Sequence, residues 1–172
     1  GVPMPRAKVE IRMKSHQFGF GTAVELSSLT ATDAATDAYR RTFLANFNRA
    51  TPENDLKWQD WLNNRDMTLR GLDWLKASGI RQVRGHTLVW PSFQYLPGYL
   101  QSFANNPSGL DAEIARHIRD ETAATAGRVS EWDVLNEPVT NTALQKILGD
   151  AAMAKWFKIA RENEPTAKLY VN

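Results

Sequence analysis

The sequence predicts an α/β fold whose core is a parallel sheet. Apolar segments typical of strands begin near residues 18, 48, 81, 130 and 167, and segments with a helical spacing of apolar residues lie between them. This alternation is typical of parallel strands joined by right-handed crossovers. With 172 residues, of which 42% are hydrophobic, the chain is long enough for one domain with a sizeable core.

Two arrangements of such a sheet fit the alternation, an open doubly wound sheet and a closed (β/α)8 TIM barrel. The predicted strands recur at intervals of roughly 37 residues, so eight repeats would need roughly 300 residues, which is within the usual size of a barrel. An open sheet normally carries a GxGxxG turn after its first strand, and the segment FGFGTAVEL leads into no such turn. We therefore predict a barrel represented by about its first five β/α units.

The individual elements follow from the spacing of apolar residues and from turn residues. The first strand is predicted from a strict alternation that places Ala7, Val9, Ile11 and Met13 on one side. Gly79 ends a helix in the position that a left-handed C-cap favours. In chain order we predict a strand at 6–14, a turn at 15–17, a strand at 18–24, a helix from Thr32 or Asp33 to about 47, a strand from 48 that ends in polar residues by 58, a helix around 69–78, a strand at 81–90, a helix at 110–126, a strand at 131–137, a helix at 153–162 and a strand at 167–171.

Composition excludes several classes of function. The net charge is +2 and the charges are interleaved, so nucleic acid is not a predicted partner. No apolar run is long enough to span a membrane, and no basic-then-apolar leader opens the chain. The first residue is Gly1 rather than Met, which suggests a processed or excised product. The absence of cysteine rules out disulfide and thiolate chemistry.

The histidines and serines do not follow the spacing of a metal site or of a serine hydrolase. His16, His86 and His117 fall on a predicted turn, strand and helix, with no HxH or HExxH spacing. No GxSxG segment marks a nucleophile elbow. We predict no metal and no cofactor, and we expect His117 to cover the surface of its amphipathic helix.

The octet EWDVLNEP, residues 131–138, predicts a strand with a glutamate at its C-terminal tip. Trp132 and Val134 favour a buried strand, and Pro138 ends it because proline has no N–H to donate. In parallel α/β folds this end of the strand faces the ligand crevice. A Trp and a Pro that limit water around Glu137 would favour the protonated carboxyl that a general acid needs. The alternative interpretation is a glutamate that caps a helix or pins a loop.

Polar side chains also follow two other core strands, and together they describe a binding rim. Amides, an ammonium and an imidazole around carboxyls suit a neutral polyhydroxy ligand, and indole rings stack on sugar faces. Taken singly, the lysine can be a solvated surface residue, the histidine a core residue and the tryptophan a packing residue. The residues of this rim are Glu53, Asn54 and Lys57 on the second core strand, His86 and Trp90 on the third, and Asn136 and Glu137 on the fourth.

Three of these segments resemble one known family. TPENDLKW (51–58), VRGHTLVW (83–90) and WDVLNEP (132–138), in this order and spacing, are similar to glycoside hydrolase family 10, the endo-β-1,4-xylanases. The resemblance runs from about residue 18 to the end, where KLYVN is similar to the fifth barrel strand of the family. It implies that residues 1–172 are part of a family 10 catalytic domain, with the strand and turn at 6–17 leading into the barrel.

The resemblance also implies roles for the rim residues. Glu137 would be the general acid/base, and Asn136 would bind the 2-hydroxyl of the sugar at the cleavage point. The family retains anomeric configuration and uses a nucleophilic Glu on its seventh strand, which is absent from this chain. Glu53 is not expected to replace it, because the resemblance places Glu53 in a sugar-binding subsite. The remaining subsite residues, on the glycone side, would be Asn54, Lys57, His86 and Trp90.

For the whole protein, the resemblance implies a xylanase. Its partner would be xylan or a xylo-oligosaccharide, its location extracellular or periplasmic, and its full-length chain could carry carbohydrate-binding modules. The 172 residues alone are expected not to hydrolyse xylan. A carbohydrate-binding barrel without hydrolysis and an unrelated open α/β protein remain as alternatives.

The resemblance has one clear departure. After Trp90 the family commonly continues His-Ser-Gln, whereas this chain continues Pro91-Ser92-Phe93-Gln94. Gln94 could take the place of the family glutamine only if the loop shifts by one residue. Its role is therefore left open.

Overall fold

A computed structural model describes residues 2–14 and 17–172 of the chain. Its strands form one sheet in which every adjacent pair is parallel and the strands follow chain order. A doubly wound sheet changes direction at a switch point, whereas a barrel adds each strand beside the previous one. The fold is therefore a partial (β/α)8 barrel. Its strands are β1 (Gly21–Val24), β2 (Arg49–Pro52), β3 (Gln82–Val89), β4 (Glu131–Leu135) and β5 (Lys168–Val171).

Three of the longer helices lie close to their predicted positions. The helix predicted around 69–78 begins earlier, at Trp58, and the strand predicted from 48 to 58 ends at Pro52, because the polar residues that follow Pro52 form a turn. The side chain of Asp33 accepts a hydrogen bond from Thr36 N, which confirms Asp33 as an N-cap. Two short helices were not predicted, because five or six residues are too few to show a helical period. The helices are α1 (Leu26–Thr30), α2 (Ala34–Asn46), α3 (Trp58–Ala77), α4 (Pro107–Thr125), α5 (Ala143–Leu148) and α6 (Ala151–Asn163), with a 3-10 helix at Gly98–Phe103.

The core lies between the sheet and the long helices. Trp61, Trp132 and Trp156 are fully buried there. Gly85 is the register partner of Trp132 across β3 and β4, and a Cβ atom on Gly85 would lie 2.3 Å from the indole of Trp132. The glycine therefore lets this large ring pack directly on the neighbouring strand. Because side chains alternate along a strand, Arg84 and His86 point to the opposite face of the sheet.

The predicted N-terminal strand is wrong. Residues 6–14 form no strand, and the side chains of Val9 and Ile11 are 79% and 89% exposed. Alternation predicts a strand only where a neighbouring strand supplies hydrogen bonds and a core covers the apolar face, and the described residues supply neither. The predicted turn at 15–17 falls partly outside the described residues, since these do not include Ser15 and His16.

His117 is buried, so the prediction that it covers the surface is also wrong. It is 2% exposed, its ring stacks on Trp58 with centroids 3.9 Å apart, and its Nε2 lies 3.0 Å from the carbonyl oxygen of Leu88. This face of α4 packs on the start of α3 and on β3. Burial lowers the pKa of His117 to about 3. Burial also raises the pKa of Glu121, which lies one turn further along α4, well above its usual value.

The neutral, buried His117 should make the protein sensitive to acid. Below its ordinary pKa of 6.5 the unfolded chain binds a proton at His117, whereas the folded chain resists binding down to about pH 3. The contribution of neutral His117 to the free energy of unfolding is therefore fully present above pH 6.5. Below that pH it decreases by about 1.4 kcal/mol per pH unit. Urea unfolding at pH 7, 6, 5 and 4 should show a steeper loss in the wild-type chain than in His117→Gln, which keeps a donor for Leu88. Equal slopes would contradict this assignment.

Candidate active site

Glu137 lies just beyond the C-terminal end of β4, as predicted. Its N–H donates to the carbonyl of Asn172 at 2.8 Å, and its carbonyl accepts from the N–H of Asn141 at 3.0 Å. Its φ is 50°, a left-handed conformation that is uncommon for residues other than glycine. The two backbone hydrogen bonds hold this conformation.

One oxygen of the Glu137 carboxylate is held by two donors. Oε2 accepts from Trp90 Nε1 and from Asn141 Nδ2, each at 3.1 Å. The side chain is nevertheless exposed, so the desolvation predicted from Trp132 and Pro138 is not present. Trp132 faces the core on the other side of the sheet and cannot exclude water from Glu137. Trp90, from the neighbouring strand end, is the indole that contacts this carboxylate.

Trp90 is itself fixed by its neighbours. Its ring stacks on Tyr95 with centroids 3.8 Å apart and planes 19° apart, and Lys57 Nζ lies 5.4 Å from the ring centroid. His86 approaches it edge-on with centroids 6.4 Å apart. Because Tyr95 covers one face of the indole, that face is closed to a sugar. The N–H of the indole remains directed at the carboxylate of Glu137.

Asp133 is the buried centre of a charged network on the inner face of the sheet. It is 1% exposed and lies across the register from His86, whose Nδ1 is 2.9 Å from Asp133 Oδ2. Arg84 donates to the other oxygen from Nε at 2.9 Å and from a terminal nitrogen at 2.5 Å. Desolvation raises the pKa of Asp133, but the hydrogen bonds from His86 and Arg84 outweigh it and hold that pKa below its usual value. The ionised carboxylate therefore fixes a proton on Nδ1 of His86 and orients the ring.

The predicted residues lie on one side of the sheet, but they do not all share one pocket. An open pocket of about 380 Å³ has Glu53, Lys57 and His86 in its lining. Asn54 accepts a hydrogen bond from Lys57 Nζ at 2.7 Å and so lies beside this pocket. Asn136 is 2% exposed, and its side-chain oxygen accepts from Asn172 Nδ2 at 2.7 Å. The side chain of Asn136 is therefore buried and hydrogen-bonded to Asn172, and it is not accessible to a ligand in this conformation.

Five residues of the site were not predicted. Asp133 had a usable signal, since a charged residue inside an otherwise apolar strand must have a buried partner. Arg84 gave the same kind of signal, because it is a charged residue inside β3, two residues before His86 and on the same face of the strand. Asn172 directly follows β5 and so has the strand-end position of the predicted rim residues, whereas the contacts of Tyr95 and Asn141 depend on loop conformation and had no signal in the sequence. The five residues are Arg84, Tyr95, Asp133, Asn141 and Asn172.

The described residues show neither a metal cluster nor a membrane helix. Across residues 2–14 and 17–172, no three His, Cys, Asp or Glu side chains lie together in a way that could hold a metal ion. No helix in this part of the chain has the length and apolar character needed to cross a membrane.

Comparison with known proteins identifies relatives along almost the whole chain. Endo-1,4-beta-xylanase B of Humicola insolens is 34% identical over 131 residues, which are 73% of this chain and 36% of that protein. The anti-sigma-I factor RsgI6 of Acetivibrio thermocellus is 29% identical over 177 residues, which are 99% of this chain and 22% of that protein. The chain thus spans well under half the length of these two relatives.

Solved structures show the same fold. A GH10 endoxylanase from a sugarcane soil metagenome superposes with a TM-score of 0.77 at 27% identity, over 88% of this chain and 48% of that one. Xylanase 10B of Thermotoga petrophila in complex with xylobiose gives a TM-score of 0.73 at 27% identity, over 88% of this chain and 47% of that one. The model of glycosyl hydrolase family 10 matches residues 10–172. The chain therefore belongs to glycosyl hydrolase family 10 and contains about half of the barrel that its solved relatives share.

Proposed function

We propose that the protein carrying this chain hydrolyses internal β-1,4-xylosidic bonds of xylan with retention of configuration. Glu137 is the general acid/base of this reaction. In the first step it gives its proton to the departing glycosidic oxygen while a second glutamate attacks the anomeric carbon. In the second step it takes a proton from the water that hydrolyses the glycosyl-enzyme.

The second glutamate is proposed to come from a later barrel strand outside these 172 residues. In retaining glycosidases the two carboxyl groups stand about 5 to 5.5 Å apart on opposite sides of the scissile bond. Glu53 does not fill this role in the proposal, because it lies in the pocket with Lys57 and His86. The five strands alone are therefore proposed not to hydrolyse xylan.

The sugar on the non-reducing side of the cleavage point is proposed to bind along the rim. Its hydroxyls bind to the carboxylate of Glu53, the amide of Asn54 and the ammonium of Lys57. The imidazole of His86, which Asp133 orients, is a further hydrogen-bonding group. Trp90 supplies an indole edge and an open part of its ring. Asn136 contacts the 2-hydroxyl once its bond to Asn172 opens.

The single observation that carries the proposal is the position of Glu137. It stands at the C-terminal tip of a barrel strand, its carboxylate oxygen is held by Trp90, and it projects into solvent on the rim that also carries His86 and Lys57. Active sites of these barrels are built at this end of the strands. The xylanase names of several relatives and the xylobiose in one neighbour support xylan as the substrate.

The proposal extends to location. Xylan is a polymer that does not cross a membrane, so its hydrolysis takes place outside the cell or in the periplasm. Carbohydrate-binding modules elsewhere in the full-length protein would fit this setting, because they hold an enzyme on an insoluble substrate. Residues 1–172 are proposed to be part of the catalytic domain.

A second candidate function is carbohydrate binding without hydrolysis. It is favoured by the likeness to an anti-sigma-I factor, which covers 99% of this chain and is not named as a hydrolase. In that case the rim would bind a xylo-oligosaccharide, and no nucleophile would complete the site.

One experiment separates the two candidates. The full-length protein is incubated with xylan, and the first products are followed by reducing-sugar assay and by proton NMR of the anomeric signals. The xylanase proposal expects reducing ends that form first as the β anomer. Saturable binding of xylohexaose without release of reducing ends would support the binding function, and initial α anomers would contradict the retaining mechanism.

A further inference from the structure

We propose that Asn141 is a positioning residue that decides which oxygen of Glu137 carries the catalytic proton. This inference rests on the proposed function and deepens it. Asn141 stands in the loop after β4, four residues beyond Glu137, and its side chain folds back over the turn. Its contacts with Glu137 involve both the backbone and the carboxylate.

The orientation of the Asn141 amide follows from its acceptors. Nδ2 lies 3.1 Å from Glu137 Oε2, 3.4 Å from the carbonyl oxygen of Glu137 and 3.2 Å from Thr140 Oγ1. A backbone carbonyl can only accept a hydrogen bond, so the nitrogen of the amide must face this cluster. The NH2 group of Asn141 therefore donates toward Glu137.

Both partners of Oε2 are donors that cannot accept a proton. Trp90 Nε1 carries a hydrogen and has no lone pair to offer, and the amide nitrogen of Asn141 is likewise only a donor. A proton on Oε2 would occupy a lone-pair position that one of these N–H groups uses, and would therefore cost at least one of the two hydrogen bonds. The proton of the acid form is therefore placed on Oε1, for which the described residues provide no hydrogen-bond partner.

The Glu137 carboxylate keeps the same orientation throughout the proton transfer. As the bond from the anomeric carbon to the leaving oxygen breaks and the nucleophile forms its own bond to that carbon, the proton moves from Oε1 to the leaving oxygen. Oε2 keeps its two hydrogen bonds before and after the transfer, so the carboxylate need not rotate. The negative charge that Glu137 gains is stabilised by donors that are already in place.

The dependence on leaving group distinguishes this role from a structural one. A basic leaving oxygen needs the proton, whereas a dinitrophenolate departs without it. For Asn141→Ala in the full-length enzyme we expect a loss of kcat/KM of about tenfold on phenyl β-xylobioside. On 2,4-dinitrophenyl β-xylobioside, we expect a loss within about twofold. A purely structural defect would lower both values equally.

Two further variants test whether the hydrogen-bond donor of Asn141 is responsible for the effect. Asn141→Asp preserves the size of the side chain but removes the donor, so it should show the same leaving-group dependence as Asn141→Ala. Asn46→Ala is the matched control, because Asn46 is an exposed asparagine in α2, away from the rim, whose Nδ2 donates to the carbonyl of Thr42 four residues earlier at 2.8 Å. It should match the wild type on both substrates.

Other results would contradict either the role of Asn141 or the proposed function. Equal losses on both substrates, no loss in Asn141→Ala, or wild-type behaviour of Asn141→Asp would overturn the role of Asn141 and leave the proposed function intact. A wild-type protein that cleaves neither substrate would overturn the proposed function, and the role of Asn141 with it.

Discussion

Glu137→Gln in the full-length enzyme is expected to lower kcat/KM for xylan by about 10² to 10⁴-fold, the usual contribution of a positioned general acid. Glutamine keeps the shape of the side chain and can still accept hydrogen bonds from Trp90 and Asn141, but it has no proton to give. The exposed position of Glu137 means that the melting temperature should change little. Initial rates on xylan and a thermal melt of the same samples measure both effects.

The matched control for this prediction is Glu162→Gln. Glu162 is an exposed glutamate in the last turn of α6, remote from the rim, and the same change there should leave the rate within experimental error of the wild type. Retention of full activity by Glu137→Gln would show that another group protonates the leaving oxygen. A large fall in melting temperature would instead mark Glu137 as a structural residue.

Asp133→Ala is expected to lower the free energy of unfolding by about 3 kcal/mol. Removing one partner of a buried ion pair costs about 3 to 5 kcal/mol, because the remaining charge loses its partner without regaining water. The lower value is expected here, since the Arg84 side chain is 35% exposed and can be partly rehydrated. Urea unfolding at pH 7, followed by tryptophan fluorescence, measures the loss.

The pH dependence of this contribution has a defined sign. The pKa of Asp133 is held below its unfolded value, so its stabilisation is present above the unfolded pKa and is lost as the pH falls through the folded pKa. The difference in stability between the wild type and Asp133→Ala should therefore shrink in acid.

An exposed ion pair offers the control for Asp133. Asp73 pairs with Arg128 at 2.6 Å, but its side chain is 54% exposed, and such pairs contribute less than about 1 kcal/mol. Asp73→Ala should therefore cost much less than Asp133→Ala. Equal losses in the two variants would show that burial of Asp133 does not matter to its pairing.

The fold could be predicted largely because its signals are local. The helices α2, α4 and α6 and the second half of α3 repeat apolar residues often enough to show their period, and Pro91 and Pro138 mark strand ends directly. The prediction of a strand at 6–14 is wrong because strand formation does not depend on local sequence alone. Its alternation is local, but a strand exists only when another strand pairs with it, and no local pattern reports that.

The candidate site shows the same division. Glu137, His86 and Lys57 could be predicted because parallel strands bring their C-terminal ends to one rim. The amphipathic helix predicts a surface position for His117, whereas its burial depends on stacking with Trp58. Asn141 and Tyr95 escaped prediction because a loop conformation decides what their side chains reach.

The sequence by itself determined the alternation of strands and helices, the family and the strand ends that carry polar residues, since these depend on the order and spacing of side chains along the chain. Only the tertiary structure decided that Asp133 fixes Arg84 and His86, that Trp90 and Asn141 share one oxygen of Glu137, and that Trp132 turns away from the site. Hydrogen bonds and desolvation act over a few ångströms in space, and residues that are far apart along the chain come within that distance only when the barrel strands assemble.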